Sequence, residues 1–354
     1  MLNKTIIVGY GLAGFSLAVQ FLKRKQPFYI IDQPQWNASR VAAGLANPTV
    51  LKRYTLSWYA LEFFSYAQFF YKSLEPIFAE KKKRGIIPTT ISRIFANSSE
   101  MLSWEKASCS PGLDLFLAPP THKKLSDSVN SKYGYGTVHE VFRLDLPKML
   151  DEFKKQLPKD CFVAAPFDYQ ALKLTPKGVL YKDLKADQII FCEGYQMRLN
   201  PFFNHLPLVG NKGEMLLIRA PKLKLQTVLK SQIFVVPLEL DYFWVGATYN
   251  WKNKSLKTTL EGKEWLMMQL EKILQVPYEI VSQKARIRPT VIDRKPLLGE
   301  HPKHPNLYVF NGLGTRGSLM APLLSKWLCQ FIFEGISLPD KVNINRFMTT
   351  PEND

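Results

Sequence analysis

A glycine-rich turn between two apolar runs, near the start of the chain, constrains the fold more than any other feature. A helical apolar pattern follows the glycines, and an acidic residue ends the second apolar run. This order of strand, glycine turn, helix, strand and acid is typical of a βαβ unit that binds a dinucleotide. In chain order the segments are residues 5–8, Gly9, Gly11, Gly14, residues 28–31 and Asp32.

Each glycine has a separate physical role in such a turn. The first, Gly9, permits the tight turn, Gly11 lets the backbone approach a pyrophosphate, and Gly14 lets the helix pack closely on the strand. We expect the phosphates at Leu12 and Ala13, because unpaired N–H groups and the helix dipole favour negative charge at a helix N-terminus. The alternative is a glycine turn in a fold that binds nothing.

The acid Asp32 narrows the choice of dinucleotide. It lies about 20 residues after the turn, where a carboxylate accepts hydrogen bonds from a ribose 2′-OH. Like-charge repulsion at this position disfavours the 2′-phosphate of NADP. Both FAD and NAD remain open on these residues alone.

Composition excludes several classes of protein. The 354 residues are 46% hydrophobic, enough for two domains or for one large domain with an insertion. No apolar run is long enough to cross a membrane, and the first strand leaves no room for a signal peptide. The four cysteines are scattered and the five histidines lack ligand spacing, which favours a reducing cytoplasm and no metal site.

The charge is strongly positive. Lys and Arg number 47 against 30 for Asp and Glu, which gives a net charge of +17. Such a surface attracts polyanions, including nucleic acids. A basic surface without a nucleic-acid partner is the alternative. The densest basic run is residues 81–84.

Small residues follow Asp32 and are a second candidate ligand segment. Small side chains let backbone amides approach a ligand, and a hydroxyl and a guanidinium nearby can reach phosphate oxygens. A nicotinamide enzyme has no evident use for this segment. The candidates are Ser39, Arg40, Ala43, Gly44 and Asn47.

Three segments together resemble the D-amino acid oxidase family of FAD-dependent oxidoreductases. Residues 41–45 resemble the family segment that lines the flavin, and residues 189–194 resemble its second flavin-contacting strand. A second glycine turn resembles the one that places backbone amides against the flavin ring. The resemblance therefore implies FAD, with contacts from Cys192, Gly194, Gly312, Gly314, Thr315, Arg316 and Gly317.

A fourth block, residues 286–290 with Asp293, resembles the family segment in which an arginine before proline binds a substrate carboxylate. The resemblance implies that Arg288 is this anchor, with Arg316 as a second catalytic candidate. A structural salt bridge from Arg288 to Asp293 or Glu300 is the alternative. No cysteine lies beside Arg288 or Asp293, so we expect FAD to be non-covalent.

The fold implied is α/β: a discontinuous Rossmann-type FAD-binding domain with an inserted antiparallel-sheet α+β substrate domain. Apolar patterns predict a helix over residues 56–74 and short strands over residues 113–117 and 167–174. We predict the FAD-binding domain at residues 1–84, 140–212 and 286–354, and the substrate domain at residues 85–139 and 213–285.

The resemblance implies oxidation of a C–N bond by hydride transfer to flavin N5, followed by imine hydrolysis. Within the family, the second glycine turn is most similar to the FAD domain of the bifunctional tRNA-modifying branch, which removes a carboxymethyl group from a modified wobble uridine. The glycine oxidase branch has a tyrosine where this chain has Phe234.

Three functions therefore stay open. The first is oxidation of an amine that bears a carboxylate, with a carboxymethylaminomethyl group on tRNA as a candidate. The second is oxidation of free glycine, sarcosine or a D-amino acid. The third is an RNA-binding protein with a flavin fold and no turnover. The sequence predicts no oligomeric state.

Overall fold

The computed structural model describes residues 4–33, 37–79 and 85–348, and the basic run at residues 81–84 lies outside them. Within this part of the chain, no helix combines the length and apolarity that crossing a bilayer requires. The helices are α1 Leu12–Lys23, α2 Ala60–Lys72, α3 Glu75–Ala79, α4 Ser98–Ser108, α5 Leu146–Lys155, α6 Leu260–Glu271 and α7 Gly317–Glu334. The strands are β1 Thr5–Val8, β2 Phe28–Asp32, β3 Leu45–Ala46, β4 Thr49–Val50, β5 Thr55–Leu56, β6 Ile86–Ile94, β7 Tyr135–Leu144, β8 Phe162–Ala164, β9 Leu172–Thr175, β10 Gly178–Tyr181, β11 Leu184–Ala186, β12 Gln188–Phe191, β13 Asn211–Arg219, β14 Val228–Lys230, β15 Phe234–Pro237, β16 Tyr242–Gly246, β17 Glu279–Arg288, β18 Leu297–His301 and β19 His304–Asn311.

A six-stranded sheet in the order β18-β19-β12-β1-β2-β8 forms the first layer. Its strands are parallel except β18, which is antiparallel to β19. The central strand β1 is wholly buried, as parallel strands covered on both faces are. Because the carboxyl ends of β2, β1, β12 and β19 meet at one edge, a ligand is expected there. This is the Rossmann-type sheet that the sequence predicts.

An eight-stranded sheet in the order β17-β13-β16-β15-β14-β6-β7-β3 forms the second layer. Its neighbouring strands are antiparallel except β14 and β6. One face packs on α6 through an apolar cluster that includes Leu216, Val235 and Leu266. Strands β7 and β17 run across the predicted domain limits at 139/140 and 285/286. The division at those residues stays a prediction.

Local patterns located most elements but misread two. The predicted helix over residues 56–74 is α2, which is shorter at both ends. Residues 113–116 form turns and Leu117 makes only an isolated bridge with Val138, because Phe116 and Leu117 both donate backbone hydrogen bonds to the Leu113 carbonyl. The strand predicted from residue 167 begins only at Leu172, since the Asp168 carboxylate caps a short 3-10 helix before it.

Candidate cofactor and substrate site

One large cavity, about 1650 Å³ in volume, is lined by residues of both sheets. Typical small-molecule sites measure roughly 300–1,000 Å³, so this cavity has room for a dinucleotide together with a substrate. The structure brings most of the predicted site residues together around it. Those that line the cavity are Gly9, Gly11, Leu12, Ala13, Asp32, Ser39, Ala43, Gly44, Asn47, Cys192, Gly194, Arg288, Gly312, Gly314, Thr315, Arg316 and Gly317.

The first glycine turn has the tight packing that its sequence predicts. A Cβ on Gly9 would lie 2.5 Å from the Cys192 carbonyl oxygen, and Gly9 has a φ of +98° that favours glycine. A Cβ on Gly14 would lie 1.9 Å from the Gly9 carbonyl oxygen. Gly14 therefore sits beneath the turn and does not line the cavity. The N-cap residue Gly11 has no side chain to cap α1, and apart from the Leu12 amide, which donates to the Ser39 hydroxyl, this helix end is suited to an anion.

Asp32 lies where the ribose acid is expected, at the end of β2. Its Oδ1 accepts a hydrogen bond of 2.8 Å from the Tyr10 amide nitrogen, which fixes the carboxylate against the glycine turn. Burial raises the pKa of Asp32, while the Tyr10 hydrogen bond and the Arg40 charge lower it.

Arg40 is the one predicted cofactor residue besides Gly14 that does not line the cavity. Its guanidinium donates a 2.6 Å hydrogen bond to Asp151 of α5, and this pairing raises the pKa of Arg40. The neighbouring Ser39 does face the cavity, and its hydroxyl accepts a hydrogen bond of 3.1 Å from the Leu12 amide. A phosphate contact from Arg40 stays a prediction.

The second glycine turn follows β19 and leads into α7. Gly312 and Gly314 have φ values of +77° and +53°, and a Cβ on Gly314 would meet only the Thr290 hydroxyl, at 3.9 Å. Arg316 donates to the carbonyl oxygens of Asn47 (3.0 Å) and Thr49 (3.1 Å). Arg316 therefore ties the small-residue segment to the start of α7, which is a positioning role beside the cavity.

Arg288 has no carboxylate partner among the residues that the structure describes. It donates to Asn211 Oδ1 at 2.7 Å and to the Thr248 carbonyl oxygen at 3.2 Å, and its Cζ lies 4.6 Å from the Tyr249 ring centroid. The salt-bridge alternative does not occur: Asp293 binds Arg346 at 2.8 Å instead. The other candidate partner, Glu300, accepts a backbone hydrogen bond from Asn306. Burial lowers the pKa of Arg288.

Two residues beside Arg288 escaped the sequence reasoning. Asn211 pairs with Arg288 across β13 and β17, and its buried Nδ2 has no hydrogen-bond partner within the described residues. Tyr249 is 61% exposed; burial lowers the pKa of both Arg288 and Arg316, and Tyr249 raises both in the opposite direction. The sequence feature that could have identified Asn211 is its position between two glycines, one residue after Gly210 and two before Gly213. A Cβ on Gly213 would lie 2.2 Å from Arg288 Nη2.

Comparison with protein families decides the class of this site. Residues 164–331 match the family described as "DAO: FAD dependent oxidoreductase". Residues 164–331 therefore match a DAO-family FAD-dependent oxidoreductase domain. This match confirms the predicted family, enzyme class and cofactor.

Known relatives agree with the family match. The tRNA 5-methylaminomethyl-2-thiouridine biosynthesis bifunctional protein MnmC of Legionella pneumophila (strain Corby) is 23% identical over 376 residues, covering 95% of this chain and 55% of that protein. The chain thus spans about half the length of such curated relatives.

Solved structures share the fold. Glycine oxidase from Geobacillus kaustophilus has a TM-score of 0.75 at 18% identity, covering 96% of this chain and 97% of that one. Iminodiacetate oxidase from Chelativorans sp. BNC1 has a TM-score of 0.75 at 17% identity, covering 96% and 98%.

The residues present fit FAD in this oxidoreductase. A Cβ on Gly194 would meet nothing within 4 Å, and the φ of +57° favours glycine. The backbone at Gly194 is therefore accessible from the cavity that it lines. The N-terminus of α1 at Gly11 suits a pyrophosphate, and Asp32 suits a ribose hydroxyl. Because Gly312 and Gly314 have no side chains, a flat ring system can approach the backbone there.

Proposed function

We propose that this oxidoreductase oxidises the C–N bond of an amine that bears a carboxylate. The observation that supports it is Arg288, a partly buried guanidinium in the cavity whose hydrogen bonds to the described residues both come from Nη1. The unpartnered Asn211 Nδ2 lies beside it. Buried donors of this kind require an acceptor, and a guanidinium matches a carboxylate bidentately.

When bound, FAD supplies the hydride acceptor, and the substrate carbon next to the amine is oxidised to an imine that water hydrolyses. The chain's own residues hold the substrate. Arg288 and Asn211 bind the carboxylate, and the Tyr249 ring shields one face of the guanidinium. Trp244 donates a 2.9 Å hydrogen bond from Nε1 to the Val41 carbonyl oxygen and so connects the substrate-side sheet to the small-residue segment.

Replacement of the anchor tests the proposal. We expect Arg288→Ala to lower kcat/KM for a carboxylate-bearing amine by about 30- to 1,000-fold, because one or two charged hydrogen bonds are worth about 2–4 kcal/mol together. The FAD content is expected to stay at the wild-type level. The matched control is Lys284→Ala, an exposed position on the same strand that does not line the cavity. Unchanged kinetics in Arg288→Ala would remove Arg288 from the site.

The substrate group is proposed to be carried on tRNA. Three exposed cations and two exposed aromatic rings border the cavity, and such a surface suits phosphates and unstacked bases. The cations have no ion-pair partner in the described part of the chain. These residues are Lys52, Arg53, Arg294, Tyr249 and Trp251. The name of the Legionella relative, a tRNA biosynthesis protein, also supports this choice.

Oxidation of a free amino acid is the second candidate, favoured by the shared fold of glycine oxidase. Anaerobic reduction of the flavin discriminates between them, with glycine, sarcosine, D-alanine and iminodiacetate tested beside bulk tRNA. Bleaching by tRNA alone supports the tRNA-borne group, and bleaching by an amino acid supports the free substrate. If tRNA binds with steep salt dependence and nothing bleaches the flavin, the chain is an RNA-binding protein without turnover.

We also propose that FAD is non-covalent, so that acid precipitation leaves the yellow colour in the supernatant. All four cysteines are free, which supports a reducing, cytoplasmic location.

A further inference from the structure

A second carboxylate, besides that of Asp32, lies beside the first glycine turn. Glu193 lies two residues after the end of β12, Gly9 directly follows β1 and Asp32 ends β2, and these three strands are neighbours in the six-stranded sheet. A Cβ on Gly9 would lie 3.4 Å from the Glu193 Cα. The glycine turn is therefore flanked by an acid on each side, and both acids line the cavity.

The partners of Glu193 are neutral. Its Oε1 accepts a 2.5 Å hydrogen bond from the Tyr169 hydroxyl, and its Oε2 accepts a 2.8 Å bond from Asn200 Nδ2. The titratable groups facing it are Tyr169, from the 3-10 helix after Asp168, and its chain neighbour Cys192. Within the described residues, no cation forms an ion pair with Glu193.

An ionised carboxylate without a cation, next to the site for a pyrophosphate, would repel the cofactor. Burial raises the pKa of Glu193 to about 7, although the Tyr169 and Asn200 hydrogen bonds lower it. A neutral carboxyl has a proton to donate, and a phosphate oxygen is a strong acceptor.

We propose that Glu193 binds FAD in its protonated form, by donating a hydrogen bond to an oxygen of the pyrophosphate. Ionisation of Glu193 removes this donor and adds a like charge, so the affinity for FAD falls as pH rises. Glu193 thereby adds a pH-dependent cofactor contact that the glycine motif does not contain.

The test is the Kd of FAD, measured by diluting the holoenzyme at pH 6 to 8 and recording the fluorescence of released FAD. One proton bound with the cofactor predicts about a tenfold rise in Kd over this range. Glu193→Gln keeps a neutral donor, so its Kd is expected to stay constant. If Glu193→Gln shows the wild-type rise, or weakens FAD equally at every pH, the proposal is wrong.

A second pair of variants keeps the test decisive if Glu193→Gln fails to fold. Tyr169→Phe removes a donor that favours the ionised carboxylate, so the rise in Kd is expected to move to higher pH. The control is Tyr181→Phe, whose hydroxyl accepts from the Asp168 amide and does not contact Glu193. Identical pH profiles in the two variants would exclude Glu193 as the titrating group.

Discussion

Gly213 controls where the Arg288 guanidinium lies, and Gly213→Ala is the sharpest test of the carboxylate anchor. An alanine Cβ would lie 2.2 Å from Nη2, 2.4 Å from Cζ and 2.6 Å from Nη1 of Arg288. Non-bonded heavy atoms prefer about 3.5–4.0 Å, so the guanidinium must move by roughly 1 Å or more. Because the clashing atoms are the end of a flexible side chain, the fold is expected to remain.

This displacement disturbs the 2.7 Å hydrogen bond from Arg288 to Asn211 and misplaces the substrate carboxylate. A hydrogen bond to a charged group is worth about 1.5–3 kcal/mol, which corresponds to roughly 10- to 150-fold in rate. A misplacement of about 1 Å costs a comparable factor of about 100 in catalysis. We therefore expect Gly213→Ala to lower kcat/KM by about 10- to 100-fold, with FAD content unchanged.

The assay is anaerobic flavin reduction by whichever carboxylate-bearing amine reduces the wild-type enzyme, in a double-mutant cycle with Arg288→Ala. If Gly213 acts through Arg288, the second substitution adds little to the first. Full additivity of the two losses, or a wild-type rate in Gly213→Ala, would refute the reasoning.

Two further predictions use matched comparisons. Gly194 and Gly335 both have positive φ, and a Cβ added to either would have no heavy atom within 4 Å, so alanine at either position costs about 1–2 kcal/mol of backbone strain. Of these two glycines only Gly194 lines the cavity, so Gly194→Ala is expected to raise the Kd of FAD at least tenfold and Gly335→Ala to leave it unchanged. Equal effects of the two substitutions on the Kd would contradict a contact between FAD and the backbone at Gly194. For Glu193, the folded-state pKa of about 7 exceeds the ordinary 4.5, so its stabilising contribution is full below pH 4.5 and is lost as pH rises through 7. The Tm of Glu193→Gln should therefore rise relative to wild type between pH 5 and pH 7.5, and a constant difference would refute the shift.

Local sequence predicts the cofactor half of the candidate site. A short apolar run, spaced glycines and an acid are sufficient to place Gly9, Gly14 and Asp32, because the βαβ unit is formed by neighbouring segments of the chain. The same holds for the turn that begins at Gly312. The predicted Rossmann-type architecture is confirmed by the six-stranded sheet and by the solved structures that share the fold.

The substrate half depended on contacts that no local pattern encodes. Asn211 reaches Arg288 through the antiparallel register of β13 and β17, which is a property of the folded sheet. The sequence places Glu193 just after an apolar strand and gives no sign of its hydrogen-bond partners. These partners, Tyr169 and Asn200, lie on other segments of the chain. Residues 113–117 are mostly apolar, as a short strand is, yet turn hydrogen bonds after Pro111 and Gly112 override the pattern.

The order of strands in the six-stranded sheet also determines when the protein can acquire its cofactor. β1 pairs on one edge with β2, which is close to it in the chain, and on its other edge with β12, about 180 residues later; the glycine turn after β19 comes later still in the chain. Pairing over such sequence separations is slow, and an exposed apolar strand edge promotes aggregation. The candidate flavin site is thus complete only when segments that are far apart in the chain have come together.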